Sequence, residues 1–312
     1  MEWHLMQQWI DLAWRLAVFY VFIVLGILIS RKLQENDTVE RFVTQLLINV
    51  MLPLLMIDTL LDTAGELLSE VAIIVPIAVL AHVLGLLIFY PRVRGLDLDN
   101  SKKGALLLCV TFNNAVFLPV PLVLMFMGDV GIPVIALYAV VEMILLAIVG
   151  TALGAAYNVS EAKRLEMIKK ALLFPPLLAV LLGLFLASLG LQIPSIFSPI
   201  TSANSTAITY LALLAVGLSL GRNIASSEIR TALEAVGVRQ VLVPLVMWVI
   251  LAFAMVSDTT RSVLLLEAMM PPAVFTVIYA SALKLDSETA ASVVTIGTLF
   301  LLPVVPFLAF II

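Results

Sequence analysis

The sequence predicts an all-α integral membrane protein in which ten transmembrane helices form two inverted repeats of five. Of its 312 residues, 62% are hydrophobic and only 12% are charged, whereas a soluble domain is about 45–50% apolar. The apolar residues form ten segments of membrane-spanning length. Two of these segments, at matching positions of the two halves, are interrupted by paired prolines.

A bilayer core requires about 20 apolar residues in each helix. The segments that meet this requirement are separated by short polar loops, which leave no room for a soluble catalytic or ligand-binding domain. The predicted spans, numbered one to ten, are 12–29, 39–61, 71–90, 104–127, 132–157, 171–189, 200–220, 238–256, 262–283 and 289–311.

The basic residues are distributed very unevenly between the two sides of these spans. Arg15 and Arg261 fall on one side, and the other 15 of the 17 basic residues fall on the opposite side. Because basic loops remain in the cytoplasm, we expect a cell-membrane protein with both termini outside the cytoplasm. The residues assigned to cytoplasmic loops are Arg31, Lys32, Arg41, Arg92, Arg94, Lys102, Lys103, Lys163, Arg164, Lys169, Lys170, Arg222, Arg230, Arg239 and Lys284.

The most charged internal stretch divides the chain into two halves. We predict a first five-helix repeat over residues 1–157, a cytoplasmic linker over 158–170 and a second repeat over 171–312. Because five is odd, the second repeat enters the membrane in the opposite orientation to the first. This is the arrangement of inverted-repeat transporters.

Paired prolines interrupt the fourth span of each repeat. Pro119 and Pro121 lie in span four, and Pro271 and Pro272 lie in span nine. Proline removes a backbone donor and clashes with the preceding turn, so both helices should break there. Unwound backbone is tolerated at membrane depth only inside protein or beside water, and such breaks indicate a substrate site. Packed helices that are merely kinked remain the alternative.

Polar residues accompany both breaks. Thr111, Asn113 and Asn114 precede the first, and Glu267 lies four residues before Pro271. A carboxyl group within a span needs a partner or water. If the broken helices cross, Glu267 approaches the amide oxygens of both asparagines and the carbonyls near Met270. Such oxygens suit a sodium ion at Glu267, while protonation of Glu267 is the simpler alternative. We therefore predict a coupling-ion site here.

The substrate site is predicted from the same region. The half-helices that follow the prolines begin with free N–H groups, which favour an anion. We predict that Asn113, Asn114 and the four prolines contact the substrate, with Asn49 of span two on the opposite wall. For Glu142 and His82, a functional role and simple packing both remain open.

Other site chemistries are not indicated. The single Cys109 excludes an internal disulfide and a cysteine metal cluster. No zinc-protease His–Glu motif, nucleophile elbow or phosphate-binding glycine loop is present. We therefore expect neither an enzyme nor a nucleic-acid-binding protein, and no cofactor apart from sodium.

Two stretches resemble the auxin efflux carrier family. Asn114 to Pro121 (NAVFLPVP), followed by LMFMG at 124–128, is similar to the family's fourth-helix pattern. MPPAVFTVIY at 270–279, with Asp286 and TIGT at 295–298, is similar to its signature across helices nine and ten. The chain departs from many prokaryotic members at Val116 and Pro119, where those members carry glycine.

The resemblance implies an elevator-type carrier. A scaffold of helices 1, 2, 6 and 7 would hold a mobile core of helices 3–5 and 8–10, with helices 4 and 9 crossed at its centre and a homodimer formed through the scaffold. The expected substrate is a small organic anion, either an auxin-like monocarboxylate or a dicarboxylate such as malonate or malate. Transport is expected to be coupled to sodium or protons. A sodium symporter for larger, bile-acid-like anions and an uncoupled uniporter or channel are the alternatives.

Overall fold

The computed structural model describes residues 2–32, 37–158, 172–220 and 229–308, with positions 165, 168 and 169 between them. Nearly all of these residues are helical, and none lies in a named strand. The all-α prediction is therefore confirmed. Most of the predicted linker, 158–170, lies outside the described residues.

Fifteen α-helices are present in the described residues. In chain order they are α1 (Glu2–Lys32), α2 (Asp37–Leu46), α3 (Leu52–Arg94), α4 (Asn100–Thr111), α5 (Pro119–Phe126), α6 (Ile132–Leu145), α7 (Thr151–Asn158), α8 (Pro175–Ser188), α9 (Ser198–Leu220), α10 (Ile229–Gly237), α11 (Val243–Phe253), α12 (Asp258–Met269), α13 (Val274–Ala282), α14 (Ser287–Leu301) and α15 (Val305–Leu308). Three π-helical segments join α2 to α3, α6 to α7 and α10 to α11; they are Leu47–Met51, Leu146–Gly150 and Val238–Leu242.

Seven helical stretches of the described chain are long and apolar enough to cross a membrane. They overlap predicted spans one, two, three, five, seven, eight and ten, and they make this a multi-pass membrane protein. The seven stretches are Trp9–Lys32, Thr38–Asp62, Glu70–Arg94, Gly128–Tyr157, Ser195–Leu220, Ile229–Phe253 and Ser287–Leu308. The other three predicted spans appear as shorter helices: α4 with α5, α8 alone, and α12 with α13.

The stretch Thr38–Asp62 ends within α3 and Glu70–Arg94 lies within it, and α3 cannot be one straight rod. Met56 lies beside Ala139 and Met143 of α6, and the ring of His82 lies 5.1 Å from that of Tyr138 on the same helix. A straight helix would separate residues 56 and 82 by about 39 Å at 1.5 Å per residue. The chain therefore folds back between the two stretches, as two separate spans require.

Prolines account for two of the three π-helical segments. Pro53 and Pro244 lack the N–H that would bond the carbonyls of Asn49 and Gln240, which lie four residues earlier. The helix widens at each of these positions, and such bulges occur often at functional sites. At the first, Asn204 of α9 donates to the Met51 carbonyl at 2.9 Å.

The most buried stretch is Gly128–Tyr157, which contains α6, whereas α1 lies at the periphery. Peripheral α1 packs tightly against α9 through glycines. A β-carbon on Gly217 would lie 2.1 Å from the Ile23 carbonyl oxygen, and one on Gly26 would lie 2.4 Å from the Leu214 carbonyl oxygen. The two backbones are therefore in direct contact, the packing that small residues allow in membranes.

Gly217→Ala should destabilise the protein by about 1–3 kcal/mol, because the added methyl group must displace backbone. Gly237→Ala is the matched control, since no atom lies within 4 Å of its β-carbon position. The control should be neutral or slightly stabilising, because alanine favours helix. Thermal unfolding in detergent measures both, and equal stability of the two variants would contradict the close contact.

Candidate functional site

The two interrupted helices meet at their breaks. The unwound segments 112–118 and 270–273 run antiparallel where they pass, with Asn113 opposite Pro272. The Asn114 N–H donates to the Pro271 carbonyl at 2.7 Å, and the Ala273 N–H donates to the Phe112 carbonyl at 3.0 Å. Each break therefore supplies hydrogen-bond partners to the other, in a region where lipid offers none.

The prolines have different roles in the two breaks. Pro271 and Pro272 lie within the unwound segment, and α13 begins two residues later at Val274. The first break instead precedes its prolines, because α5 begins at Pro119. The prediction that both half-helices start after their prolines is thus wrong for α5. In the first turn of a helix the missing N–H has no intrahelical acceptor, so Pro119 and Pro121 fit there without cost.

Asn113 is the centre of the crossing. Its side-chain NH2 group donates to both the carboxyl oxygen Oε2 and the backbone carbonyl of Glu267, each at 3.1 Å. Its amide oxygen accepts from the Tyr138 hydroxyl at 2.9 Å and from the Arg239 guanidinium at 2.6 Å. These side chains are buried, and they bring together the break of span four, α6, α12 and the π-helical segment of span eight.

Arg239 was assigned to a cytoplasmic loop, and that assignment is wrong. The guanidinium is 0% exposed and donates to the Ala81 carbonyl at 3.1 Å as well as to Asn113. The residue lies at the edge of an apolar run, where a basic side chain usually marks the end of a span. A usable signal was Pro244, which lacks the N–H that would bond the Gln240 carbonyl next to Arg239, so a disturbed turn is expected there.

Five buried polar atoms around the crossing have no hydrogen-bond partner within the described part of the chain. They are His82 Nε2, Glu142 Oε1, Arg239 Nε, Gln240 Oε1 and Glu267 Oε1. An unsatisfied buried polar group costs about 1–3 kcal/mol, and each such group in a native protein needs an explanation. Their concentration in one place indicates a site that a ligand, ion or water completes.

The other predicted site residues are distributed as follows. The Asn114 side chain accepts from the Phe117 N–H at 2.9 Å, so it supports the unwound backbone. The Thr111 hydroxyl donates to the Leu107 backbone carbonyl of its own helix at 2.6 Å. Met270 is buried at the second break. Asn49 is exposed within the first π-helical segment, so the structure does not bring it into the buried cluster.

A cavity of about 450 Å³ lies between α1, α9 and the end of α5. The Arg15 guanidinium spans it and donates to the Met125 carbonyl of α5. Five hydroxyl side chains of α9, and the acidic side chain of Asp129 in the turn after α5, also line it. Its lining is Trp14, Arg15, Val18, Leu124, Met125, Gly128, Asp129, Ser202, Ser205, Thr206, Thr209 and Tyr210.

Comparison with known proteins places this architecture in a family. A family model described as a membrane transport protein matches residues 14–309. This chain belongs to the membrane transport protein family. The match confirms the resemblance to auxin efflux carriers that the two proline stretches indicate.

Two relatives of this family member are archaeal. An uncharacterized transporter of Methanothermobacter thermautotrophicus is 26% identical over 287 residues, which cover 92% of this chain and 91% of the relative. An uncharacterized transporter of Methanocaldococcus jannaschii is 26% identical over 232 residues, which cover 73% and 72% of the two chains.

Asn113→Leu should destabilise the protein by about 3–5 kcal/mol, because it leaves Glu267, Tyr138 and Arg239 without their shared partner. Thr298→Val is the control, since its buried hydroxyl bonds only to Val294 of its own helix among the bonds the structure shows. That variant should change stability by about 1 kcal/mol or less. Thermal unfolding of both proteins tests the difference. Similar losses in the two variants would mean that Asn113 is not the organising residue.

Proposed function

We propose that this protein is a secondary transporter that moves a small organic anion across the cell membrane by elevator-type alternating access. The observation that carries the proposal is the buried polar cluster at the crossing. Membership of a transporter family supports the general class, and the cluster supports a site near the middle of the membrane. A carrier returns its ligand unchanged, so no catalytic group is required.

The positive groups at the crossing favour an anion. Arg239 contributes a permanent charge with an unpartnered Nε–H. The helices α5 and α13 both begin beside the crossing, and their N-termini carry partial positive charge. A carboxylate has the geometry to accept from a guanidinium and from backbone N–H groups. A substrate carboxylate close to Asn113 and Arg239 would therefore meet donors from both broken helices.

The proposed moving unit is the bundle that contains both breaks. The pair α4 and α5, the helix α8, and the pair α12 and α13 would each count as one span. Together with the seven long stretches they would give ten spans in two inverted repeats. Spans 3–5 and 8–10 would then move against a scaffold of spans 1, 2, 6 and 7. The cavity supports this division, because scaffold helices α1 and α9 form one wall and α5 of the moving unit forms the other.

The orientation and assembly belong to the same proposal. The basic residues near the ends of α1 and α3 favour the cytoplasm at those ends, with both termini on the other side. The scaffold exposes apolar side chains to lipid or to a second copy, and α8 carries Leu178, Leu181 and Phe185 on that surface. A homodimer through the scaffold would cover part of it.

Exchange of labelled anions in proteoliposomes tests the function. Malonate, malate, indole-3-acetate and taurocholate form the panel, with unlabelled anion inside and labelled anion outside. At least one small carboxylate should show exchange that is stimulated by the same anion inside, since a carrier moves bound substrate in both directions. Arg239→Gln should reduce this exchange by tenfold or more, as about 1.4 kcal/mol corresponds to tenfold.

Arg230→Gln is the matched control, because Arg230 lies on α10 with 90% of its side chain exposed. This variant should exchange anions like the unmodified protein. Electrical currents far above carrier rates, or flux without internal stimulation, would indicate a channel and contradict the proposal. Exchange of taurocholate alone would show that the substrate is a larger amphipathic anion.

A further inference from the structure

We propose that the guanidinium of Arg239 takes the place of a coupling sodium ion, and that Glu142 and Glu267 share one exchangeable proton that makes the carrier a proton–anion symporter. This inference rests on the proposed function and names the ion that drives it. These three buried charged side chains lie on three different helical segments around the crossing.

The oxygen atoms that suit sodium are already engaged. The Asn113 amide oxygen accepts from Tyr138 and from Arg239, and Glu267 Oε2 accepts from the Asn113 NH2 group. Of the predicted side-chain ligands here, Glu267 Oε1 has no hydrogen-bond partner, and the Thr111 hydroxyl donates to the Leu107 carbonyl. The residues present therefore do not fit sodium, because a guanidinium bonds to the amide that sodium would use.

The charges around Arg239 do not balance unless a proton is present. Glu142 and Glu267 are both buried, and each has one carboxyl oxygen without a partner. Two ionised carboxyl groups and one guanidinium buried in the same cluster would leave a net negative charge in a low-dielectric interior, which is strongly unfavourable. One shared proton restores neutrality. Both carboxyls lie in the same buried cluster as Arg239 and each keeps an oxygen without a partner, so the proton belongs to the pair.

The other groups that face the pair cannot supply the balancing charge. His82 of α3 directs Nδ1 to the Ala78 carbonyl at 2.7 Å, so Nδ1 carries the hydrogen. Protonation of its second nitrogen would place a new cation near Arg239. The Tyr138 hydroxyl of α6 is a neutral donor to Asn113. The helices α8 and α11 contain no charged residue, so the pair is the place for the proton.

The sign of the coupling follows from this charge count. With both carboxylates ionised the cluster is negative and repels an anion. With one proton bound the cluster is neutral, and Arg239 can donate its free Nε–H to a substrate carboxylate. Proton binding and anion binding therefore favour each other. In one transport cycle a carboxyl oxygen of the pair takes a proton from water on one side of the membrane and forms an O–H bond. That bond breaks when the proton returns to water on the other side, so the proton and the anion cross together.

The first experiment needs no substrate. Unfolding temperatures of detergent-purified protein are measured in sodium and in potassium chloride over a series of pH values. The unmodified protein should show no sodium-specific stabilisation. It should lose stability as pH rises, because loss of the shared proton leaves two carboxylates against one guanidinium. Glu142→Gln and Glu267→Gln should each flatten this pH dependence, since one carboxylate then balances Arg239 without a proton.

Glu288→Gln is the matched control, because Glu288 is exposed at the start of α14. It should keep the pH dependence of the unmodified protein. A sodium-specific rise in unfolding temperature that disappears in Glu267→Gln would overturn the inference. A pH dependence as steep in Glu142→Gln and Glu267→Gln as in the unmodified protein would also overturn it.

The second experiment measures coupling in proteoliposomes with the membrane potential held at zero by potassium and valinomycin. An inward proton gradient should drive accumulation of a transported probe anion such as malonate. In Glu142→Gln and Glu267→Gln this accumulation should stop, while exchange of labelled for unlabelled anion continues. Accumulation driven by a sodium gradient at equal pH would contradict proton coupling. If no anion in the panel moves, the proposed function fails, and the stability series still decides between proton and sodium.

Discussion

Backbone hydrogen bonding inside the bilayer is the constraint on which this structure depends. Lipid supplies no donors or acceptors, so a helix can unwind at membrane depth only if protein satisfies the freed groups. Here the two unwound segments satisfy each other, through Asn114 with Pro271 and Ala273 with Phe112. One broken helix alone would leave these groups unpaired. The two breaks must therefore face each other, and this requirement brings two distant parts of the chain together at the centre of the protein.

The side chains at this meeting point follow from the same constraint. An amide, a carboxyl group and a guanidinium cost free energy in hydrocarbon unless they bond to one another. Asn113 can donate to Glu267 and accept from Arg239 at the same time, so it joins a negative and a positive group that do not touch directly. The atoms that remain without partners lie around this chain of bonds. The stable part of the cluster thus holds its unsatisfied part in place, as a pre-organised binding site requires.

The sequence indicated the breaks well because proline acts locally. Pro271 and Pro272 predicted an interruption in the right place, and paired polar residues indicated where side chains would meet. Local reasoning was less accurate where a residue could fit two environments. Pro119 starts α5 directly after the break instead of lying within it. Asn49 is exposed on its own segment, so its place on the opposite wall of a substrate site stays a prediction. Arg239 looked like a loop residue because the charge-distribution rule treats a basic side chain at a span boundary as solvated.

By itself, the sequence determined that this protein lies in a membrane, where most of its spans run and where two helices break. These properties depend on local hydrophobicity and on the backbone chemistry of proline, so they can be read from neighbouring residues. The tertiary structure decided which groups meet. Asn113, Glu267 and Arg239 are separated by more than twenty residues from one another in the chain, and nothing local specifies that one amide serves both charges. That pairing depends on how the helices pack, and the close packing of α4, α6, α12 and the widened turn before Pro244 brings the three side chains together.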